Sequence, residues 1–221
     1  MTQTNSRLAG MKAAIFDMDG TIIDTMSAWR RCTLDFVEEH GLPMSAEQKK
    51  TLFQMSGTDV VRYLQEELHY PCQYQDLYDH SAAAMRAVYA AGVPVKDGAL
   101  DYLASLKARG IVRVLATATP SNLALVALNR MHLFAYFDYI YSTDVLKLTK
   151  SDPAFFDTLA EITGVPKEDS VLFEDSLYAI AGGKKAGLGT VGIWDATNQK
   201  DWERIVSLAD VTISSFTELE V

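Results

Sequence analysis

The sequence contains little cysteine and no long apolar segment. Its two cysteines, Cys32 and Cys72, lie far apart and outside any CxxC motif, which argues against a disulfide framework. No apolar run approaches the roughly 18 residues that a membrane-spanning helix needs. The N-terminal segment MTQTNSRLAG is polar and lacks the apolar stretch of a secretory signal. These absences predict a reduced, cytoplasmic protein that has no membrane partner.

Basic residues are also scarce, with 20 lysines and arginines against 29 aspartates and glutamates and a formal net charge of −9. This acidic balance disfavours nucleic acid as a partner. It does not exclude a small anionic substrate, because charges close to a site can oppose the sign of the whole surface. The 221 residues, 48% of them hydrophobic, are enough for one large domain or for a domain that carries an insertion.

Hydrophobic periodicity divides the sequence into a purely helical part and a part in which strands and helices alternate. A short buried strand is predicted at 12–16, and helices with apolar residues three or four apart fill 26–91. From Asp97 onward, strands alternate with helices, which predicts an α/β fold with a doubly wound, mainly parallel sheet. We therefore predict an α/β catalytic core formed by 1–24 and 93–221, and an inserted all-helical cap formed by 25–92.

Four carboxylates, one hydroxyl and one lysine are predicted to converge at the carboxyl ends of the strands, where open α/β sheets bind ligands. Asp17 and Asp19 follow the first strand in FDMDG, and alternate residues of an extended chain point to the same side. Two carboxylates this close repel each other unless a cation lies between them, and Mg²⁺ is the usual cation of an all-oxygen site. The other four residues of this group are Thr117, Lys150, Glu174 and Asp175.

Each of these residues also has a purely structural explanation. Residues 19–21 can form an ordinary turn, Glu174 and Asp175 can cap a helix, and Lys150 can be a solvated loop residue. Their shared position favours one site over several independent coincidences. The group suits phosphoryl transfer, because it offers a carboxylate to attack phosphorus and a second carboxylic acid to protonate the leaving alkoxide. A metal ion, a lysine and a hydroxyl would hold the phosphoryl oxygens.

The order of these residues resembles the four motifs of the haloacid dehalogenase superfamily of phosphatases and phosphotransferases. FDMDGTIIDT is similar to the first motif, DxDGT, and VLFEDSLYAIAGGKKAG to the fourth, with its acidic pair and small-residue helix. VLATA and KSDPAFF are similar to the second and third motifs, which are less specific, and Lys147 is a second candidate for the lysine of the third. The layout resembles the subfamily of phosphoglycolate phosphatases and beta-phosphoglucomutases, which have a helical cap after the first strand.

The resemblance implies a Rossmann-like core, Mg²⁺ as the cofactor and two different roles for the paired aspartates. Asp17 would be the nucleophile and a metal ligand. Asp19 would be the general acid/base, with its backbone carbonyl on the metal. True dehalogenases of the superfamily lack the second aspartate, so Asp19 favours phosphate chemistry.

The resemblance also implies roles for the remaining four residues and for the cap. Thr117 and Lys150 would hold the phosphoryl group, Asp175 would ligate Mg²⁺, and Glu174 would ligate it directly or through water. The cap would close over the site, exclude water and select the substrate.

The cap face towards the site is predicted to include Trp29, Arg30 and the loop 56–58 with Gly57. An arginine and an aromatic residue suit a sugar phosphate or another small phosphorylated metabolite. The alternative, in which Trp29 belongs to the core of the cap and Arg30 is a surface charge, has equal support from the sequence. We expect the protein to be a monomer or a weak dimer.

We therefore predict a Mg²⁺-dependent phosphatase that hydrolyses a small organic phosphomonoester through an aspartyl-phosphate intermediate. A beta-phosphoglucomutase-like phosphosugar mutase is the alternative, although such mutases carry a histidine in the neighbourhood of Trp29. A signalling receiver module also uses an aspartyl phosphate, but it is about half this length and lacks the spacing of Asp17 and Asp19. Phosphonate-cleaving relatives use a cap lysine, and the segment LFQMSGTDVVRYL contains none.

Overall fold

A single six-stranded sheet forms the centre of the computed structural model, which describes residues 6–53, 55 and 57–219. The strands are β1 (Ala13–Phe16), β2 (Val112–Thr117), β3 (Tyr139–Ser142), β4 (Ser170–Glu174), β5 (Gly189–Ile193) and β6 (Val211–Ile213). They lie in the order β3-β2-β1-β4-β5-β6, and every neighbouring pair is parallel. The doubly wound α/β sheet predicted from the alternating pattern is therefore confirmed.

Helices connect the strands and also form a block of their own after β1. In chain order they are α1 (Ser6–Gly10), α2 (Met26–Glu39), α3 (Ala46–Phe53), α4 (Gly57–Glu66), α5 (Tyr74–Ala91), α6 (Ala99–Ala108), α7 (Ser121–Arg130), α8 (Thr143–Leu146), α9 (Pro153–Thr163), α10 (Leu177–Ala186) and α11 (Trp202–Leu208). Within the part of the chain that the structure describes, no helix combines the length and the apolar character needed to cross a membrane.

Apolar side chains cover both faces of the sheet, because successive residues of a strand point to opposite faces. On β1, Ala14 and Phe16 belong to one core cluster, and Ile15 belongs to the cluster on the other face. Phe16 stacks on Phe173 of β4 with ring centroids 4.5 Å apart. Burying each such ring stabilises the fold by about 1.5–3 kcal/mol, so the two central strands are firmly held beside each other.

The helices α2 to α5 lie between β1 and α6 in the chain, and described residues 26–53, 55 and 57–91 contain no strand. These helices share a hydrophobic cluster of their own, formed by Phe36, Val37, Leu52, Val60, Leu64, Cys72 and Leu77. The separate cluster supports the division into a core (1–24 and 93–221) and a cap (25–92), whose boundaries stay a prediction.

The two segments that connect this helical block to the sheet run side by side. Ile23 forms an antiparallel bridge with Val95, and the backbone N–H of Lys96 donates to the carbonyl of Ile22 at 2.9 Å. The ammonium of Lys96 also donates to Oδ2 of Asp195, beyond β5, at 2.8 Å. Both connecting segments are therefore fixed at the edge of the sheet at which β1 ends.

Candidate active site

The carboxyl ends of β1 and β4 bring three buried carboxylates together. Asp17 directly follows β1, and its backbone N–H donates to the carbonyl of Phe173 at 3.0 Å. Glu174 is the last residue of β4, and Asp175 is the next. One oxygen from each of Asp17, Glu174 and Asp175 lies within 4.8 Å of the others. The structure thus places these three predicted site residues in one cluster, and their roles stay predictions.

Lys150 is buried, 1% exposed, between two of these carboxylates. Its ammonium donates to Oδ1 of Asp17, and it donates to Oε2 of Glu174 at 2.6 Å. The other oxygen of Glu174, Oε1, accepts from the backbone N–H and the hydroxyl of Ser176 at 3.0 and 2.7 Å. Both oxygens of Glu174 are therefore engaged by protein donors. Lys147, the second candidate for the motif lysine, is exposed.

The start of α9 explains why the chain turns at Lys150. Pro153 occupies the first turn of this helix, where its missing N–H costs nothing. The side chain of Asp152 caps the helix by accepting from the backbone N–H of Ala154 at 3.0 Å. The helix start is thereby well defined, and Lys150 lies just before it in the loop that reaches the carboxylates.

Lys150 pairs with only two of the three carboxylates in this cluster, and the excess of negative charge affects their protonation. Burial, followed by the charge of Glu174, raises the pKa of Asp17 to about 8, although Lys150 opposes the shift. Burial and the same glutamate raise the pKa of Asp175 well above its ordinary value. Burial alone would lower the pKa of Lys150, but the negative charges of Asp17 and Glu174 outweigh burial and raise this pKa. An additional cation would offset this excess of negative charge.

A divalent metal ion fits the donor set of the cluster. The available ligands are carboxylate oxygens, and hard cations such as Mg²⁺ take oxygen ligands. Asp175 is held in one orientation, because its Oδ2 accepts from Nδ2 of Asn198 at 2.7 Å. Gly20 leaves the room that Asp175 needs, since a Cβ at position 20 would lie 2.5 Å from Oδ2. The φ of +82° at Gly20 also favours glycine.

Asp19 lies in surroundings that differ from those of Asp17. The hydroxyls of Thr25 and Tyr89 donate to its Oδ1 at 2.6 and 2.5 Å, and the hydroxyl of Thr119 donates to its Oδ2 at 2.7 Å. Asp17 contacts an ammonium and other carboxylates, whereas Asp19 contacts three neutral donors. The two aspartates of the FDMDG motif are therefore chemically distinct.

Thr117 ends β2, the strand that pairs with β1 on the side opposite β4. It is buried, and its Oγ1 accepts from the backbone N–H of Thr119 at 3.0 Å. The parallel pairing puts Thr117 at the same edge of the sheet as Asp17. Its contact with a phosphoryl group stays a prediction.

Trp29 and Arg30, on α2, have different surroundings from each other. Trp29 packs partly buried against the main core cluster, and its Nε1 donates to the hydroxyl of Tyr89 at 3.2 Å. Arg30 is partly buried, and its Nε has no hydrogen-bond partner among the described residues. Burial lowers the pKa of Arg30, and the negative charges of Asp175 and Asp195 oppose the shift. Arg30 therefore lies within the electrostatic reach of the carboxylate cluster.

Gly57 begins α4, and the nearest atoms that a Cβ there would meet belong to the ring of Tyr74, at 3.2 Å. Ser56 of the same predicted loop lies outside the described residues. Tyr74 belongs to the same helical block, so its position says nothing about substrate, and a substrate contact by Gly57 stays a prediction.

Sequence reasoning did not identify five polar residues that hold the site side chains in place: Thr25, Tyr89, Thr119, Ser176 and Asn198. The rule that ligands bind beyond strand ends could have included Thr119 and Asn198, which follow β2 and β5 by a few residues. Tyr89 gave no such signal. It lies in an apolar stretch of α5, and 70 sequence positions separate it from Asp19.

A family model described as haloacid dehalogenase-like hydrolase matches residues 14–193 of the chain. Among curated proteins, a phosphorylated carbohydrates phosphatase of Thermotoga maritima is 28% identical, over 80% of this chain and 82% of its own length. Hexitol phosphatase B of Escherichia coli K12 is 29% identical, over 94% and 93% of the two chains. The matched family range runs from β1 to β5 and includes the whole carboxylate cluster.

Solved structures extend the similarity to a protein with a different name. The structure of a putative beta-phosphoglucomutase from Thermotoga maritima aligns with a TM-score of 0.69 at 27% identity, covering 92% of this chain and 94% of that one. The chain is thus similar, along most of its length, to proteins named as phosphatases and to one named as a mutase.

Proposed function

This chain belongs to the haloacid dehalogenase-like hydrolases, and from that premise we propose that it is a Mg²⁺-dependent phosphatase. Its substrate is a small organic phosphomonoester, a sugar phosphate or a similar metabolite. Two relatives named as phosphatases of phosphorylated carbohydrates and of hexitols support this substrate class. The proposal includes a cytoplasmic location and a monomer or weak dimer.

The difference between Asp17 and Asp19 is the observation that carries the proposal. Asp17 lies beside the ammonium of Lys150 in the carboxylate cluster, where an anionic phosphoryl group needs cationic partners. Asp19, two residues further on, lies among hydroxyls. Phosphoester hydrolysis through a covalent intermediate requires such a division between a nucleophile and a proton-transfer group.

In the proposed reaction, a carboxylate oxygen of Asp17 attacks phosphorus and the ester bond to the leaving group breaks. Asp19 gives its proton to the departing alkoxide, and an aspartyl phosphate remains on Asp17. Asp19 then takes a proton from water as the water attacks phosphorus, which releases inorganic phosphate and restores both aspartates.

Lys150 and Thr117 hold the phosphoryl oxygens in this proposal. Asp17, Asp175 and the backbone carbonyl of Asp19 hold Mg²⁺, with Glu174 contributing directly or through water. When bound, Mg²⁺ neutralises charge on the phosphoryl oxygens. Because Lys150 and Ser176 engage both oxygens of Glu174, its contribution through water is the arrangement that the contacts favour.

The helical block closes over the site in this proposal and keeps bulk water away from Asp17. Arg30 has the strongest support among the three predicted substrate residues, because Asp175 is among the charges that act on it and its Nε has no partner among the described residues. Trp29 and Gly57 complete the proposed substrate face.

Release of phosphate from p-nitrophenyl phosphate tests the proposed function. Asp17→Asn keeps the shape of the side chain but removes the nucleophile, so turnover should fall below detection. EDTA should abolish turnover of the unmodified protein, and Mg²⁺ should restore it. Asp157→Asn, at a half-exposed aspartate that pairs with Lys167, is the matched control and should keep full activity. Turnover that survives Asp17→Asn or EDTA contradicts the proposal.

A phosphosugar mutase is the second candidate, because the solved structure of a putative beta-phosphoglucomutase is similar over nearly the whole chain. Trp29 disfavours it, because the mutases that the sequence resembles carry a histidine in the neighbourhood that Trp29 occupies here. A mutase needs the same aspartyl phosphate, so only the product distinguishes the two functions.

A further inference from the structure

Tyr89 connects the helical block directly to Asp19. It is completely buried near the C-terminal end of α5, and its hydroxyl donates to Oδ1 of Asp19 at 2.5 Å. The same hydroxyl accepts from Nε1 of Trp29 on α2 at 3.2 Å. A chain of two hydrogen bonds thus runs from α2 through α5 to the carboxylate.

The three hydroxyls around Asp19 come from three separate parts of the fold. Thr25 directly precedes α2, and Thr119 lies in the loop between β2 and α7. Tyr89 belongs to the last helix of the block, and α2 and α5 pack against each other. Asp19 is therefore held at once by the sheet edge and by both ends of the inserted segment.

A carboxylate that transfers protons must be held in one orientation, because its side chain has two rotatable bonds and proton transfer needs a short, aligned path. Thr25 alone would leave Oδ1 with one donor from a short side chain. Tyr89 adds a donor on a rigid ring whose position is set by burial on all sides, and Trp29 fixes the direction of the phenolic hydroxyl.

We propose that Tyr89 is a positioning residue for Asp19, and that Trp29 acts through Tyr89. This inference rests on the proposed function, because it assigns Asp19 the proton transfer to the leaving group. Its consequence is that the hydroxyl of Tyr89 matters most for substrates whose leaving group needs a proton.

A comparison of two substrates tests the inference in the Tyr89→Phe variant, which removes the hydroxyl and keeps the ring. Glycerol 2-phosphate has an alkoxide leaving group that must be protonated, whereas p-nitrophenyl phosphate has a leaving group that departs as a stable anion. We expect kcat/KM for glycerol 2-phosphate to fall by about tenfold or more, within the range for a misplaced general acid. For p-nitrophenyl phosphate we expect a fall of less than about threefold, since kcat/KM reports the steps up to departure of the leaving group.

Two further variants keep the result interpretable. Tyr102→Phe removes the hydroxyl of another buried tyrosine, on α6 in the aromatic core, and should leave the ratio between the two substrates unchanged. Trp29→Phe removes the indole donor and should reproduce the selective loss at smaller size. For this variant phenyl phosphate is compared with p-nitrophenyl phosphate, because a lost substrate contact of Trp29 would affect two aryl phosphates of similar shape alike. Thermal unfolding shows whether each variant folds. If Tyr89→Phe does not fold, the inference is tested with Trp29→Phe.

An equal loss for both substrates, or no loss for either, would overturn the inference, because a merely structural role of Tyr89 does not depend on the leaving group. The proposed function itself fails in a different way. In that case the unmodified protein releases no phosphate from either substrate, or Asp17→Asn still does.

Discussion

Gly182 of α10 lies directly against the backbone carbonyl of Lys150, so that a Cβ at position 182 would be 1.9 Å from the carbonyl oxygen. At that distance even the methyl group of an alanine would overlap the carbonyl oxygen. The loop with Lys150 can reach Asp17 and Glu174 because glycine lets it pass so close to the helix. The first glycine of the AGGKKAG segment thus has a direct connection to the candidate site.

The variant Gly182→Ala should lower both stability and activity. The methyl group must push the backbone of the Lys150 loop away, and overpacking of this kind costs about 1–3 kcal/mol, more than the gain of about 1 kcal/mol from alanine in a helix. Displacing the ammonium by about 1 Å should reduce kcat/KM by roughly 10- to 100-fold. Urea unfolding and turnover of p-nitrophenyl phosphate measure the two effects.

The adjacent glycine is the matched control for this prediction. A Cβ at Gly183 would meet Cδ2 of Leu172 at 2.7 Å, the end of a flexible side chain rather than backbone. Leu172 is itself buried in the core, so Gly183→Ala should also lower the free energy of unfolding, by about 1–3 kcal/mol, but it should keep the activity because the Lys150 loop is not displaced. If both alanine variants lose activity to the same extent, the contact between Gly182 and the loop has no special role.

Removing one carboxylate from the buried cluster should weaken metal binding. Mg²⁺ at about ten times its Kd should raise the Tm of the unmodified protein by roughly 3–6 °C, because it binds only the folded state. Asp175→Asn keeps the side-chain volume but removes a charged ligand, so this shift should disappear at the same concentration. Asp169→Asn, at a surface aspartate paired with Lys12, should keep it. A shift that persists in Asp175→Asn would place the metal elsewhere.

The products formed from a hexose 1-phosphate, in the presence of the corresponding bisphosphate, distinguish the two candidate functions. We expect inorganic phosphate to accumulate, because Trp29 occupies the neighbourhood in which the mutases that the sequence resembles carry a histidine. Phosphate release and sugar phosphates can be followed together by ³¹P NMR. Accumulation of the hexose 6-phosphate without phosphate release would instead identify a mutase.

Acidification should remove the contribution that the carboxylate of Asp210 makes to the free energy of unfolding. Burial would raise its pKa, but hydrogen bonds from Lys184 and from the backbone N–H of Thr190 outweigh burial and hold the pKa below its ordinary value of 3.8. A carboxyl whose pKa is lowered by folding stabilises the protein above pH 3.8 and loses this effect as the pH falls through the folded-state pKa.

The difference in unfolding free energy between the unmodified protein and Asp210→Asn checks this expectation. It should be at most about 1 kcal/mol at neutral pH, as for a partly exposed ion pair, and should shrink as the pH falls below about 4. Lys184→Met, which keeps the carboxyl and removes its cation, should flatten the same part of the profile. A difference that does not change with pH would show that Asp210 acts through packing alone.

Sequence patterns predicted the sheet and much of the cluster because both depend on local signals. The alternation of strands and helices defines the α/β fold, and Asp17, Glu174 and Asp175 lie at the ends of two strands that are central in such sheets. The contacts of Glu174 could not be predicted, since they depend on how the Lys150 loop passes α10. Tyr89 was missed because helical periodicity marks it as a core residue, and only the packing of α5 against α2 brings its hydroxyl to Asp19.

The bridge between Ile23 and Val95 bears on how such a protein can change during evolution. The chain leaves the sheet and returns to it at nearly the same place. The two ends of the long helical segment are therefore held together, like the two ends of a hairpin loop. The entropy of closing a loop grows slowly, by about 0.6 kcal/mol for each doubling of its length. The part of the segment between α2 and α5 can therefore change in length with little cost to the sheet, as long as Thr25, Trp29 and Tyr89 keep the contacts that hold Asp19. Under the proposed function, substrate preference can change in this way while the carboxylate cluster is retained.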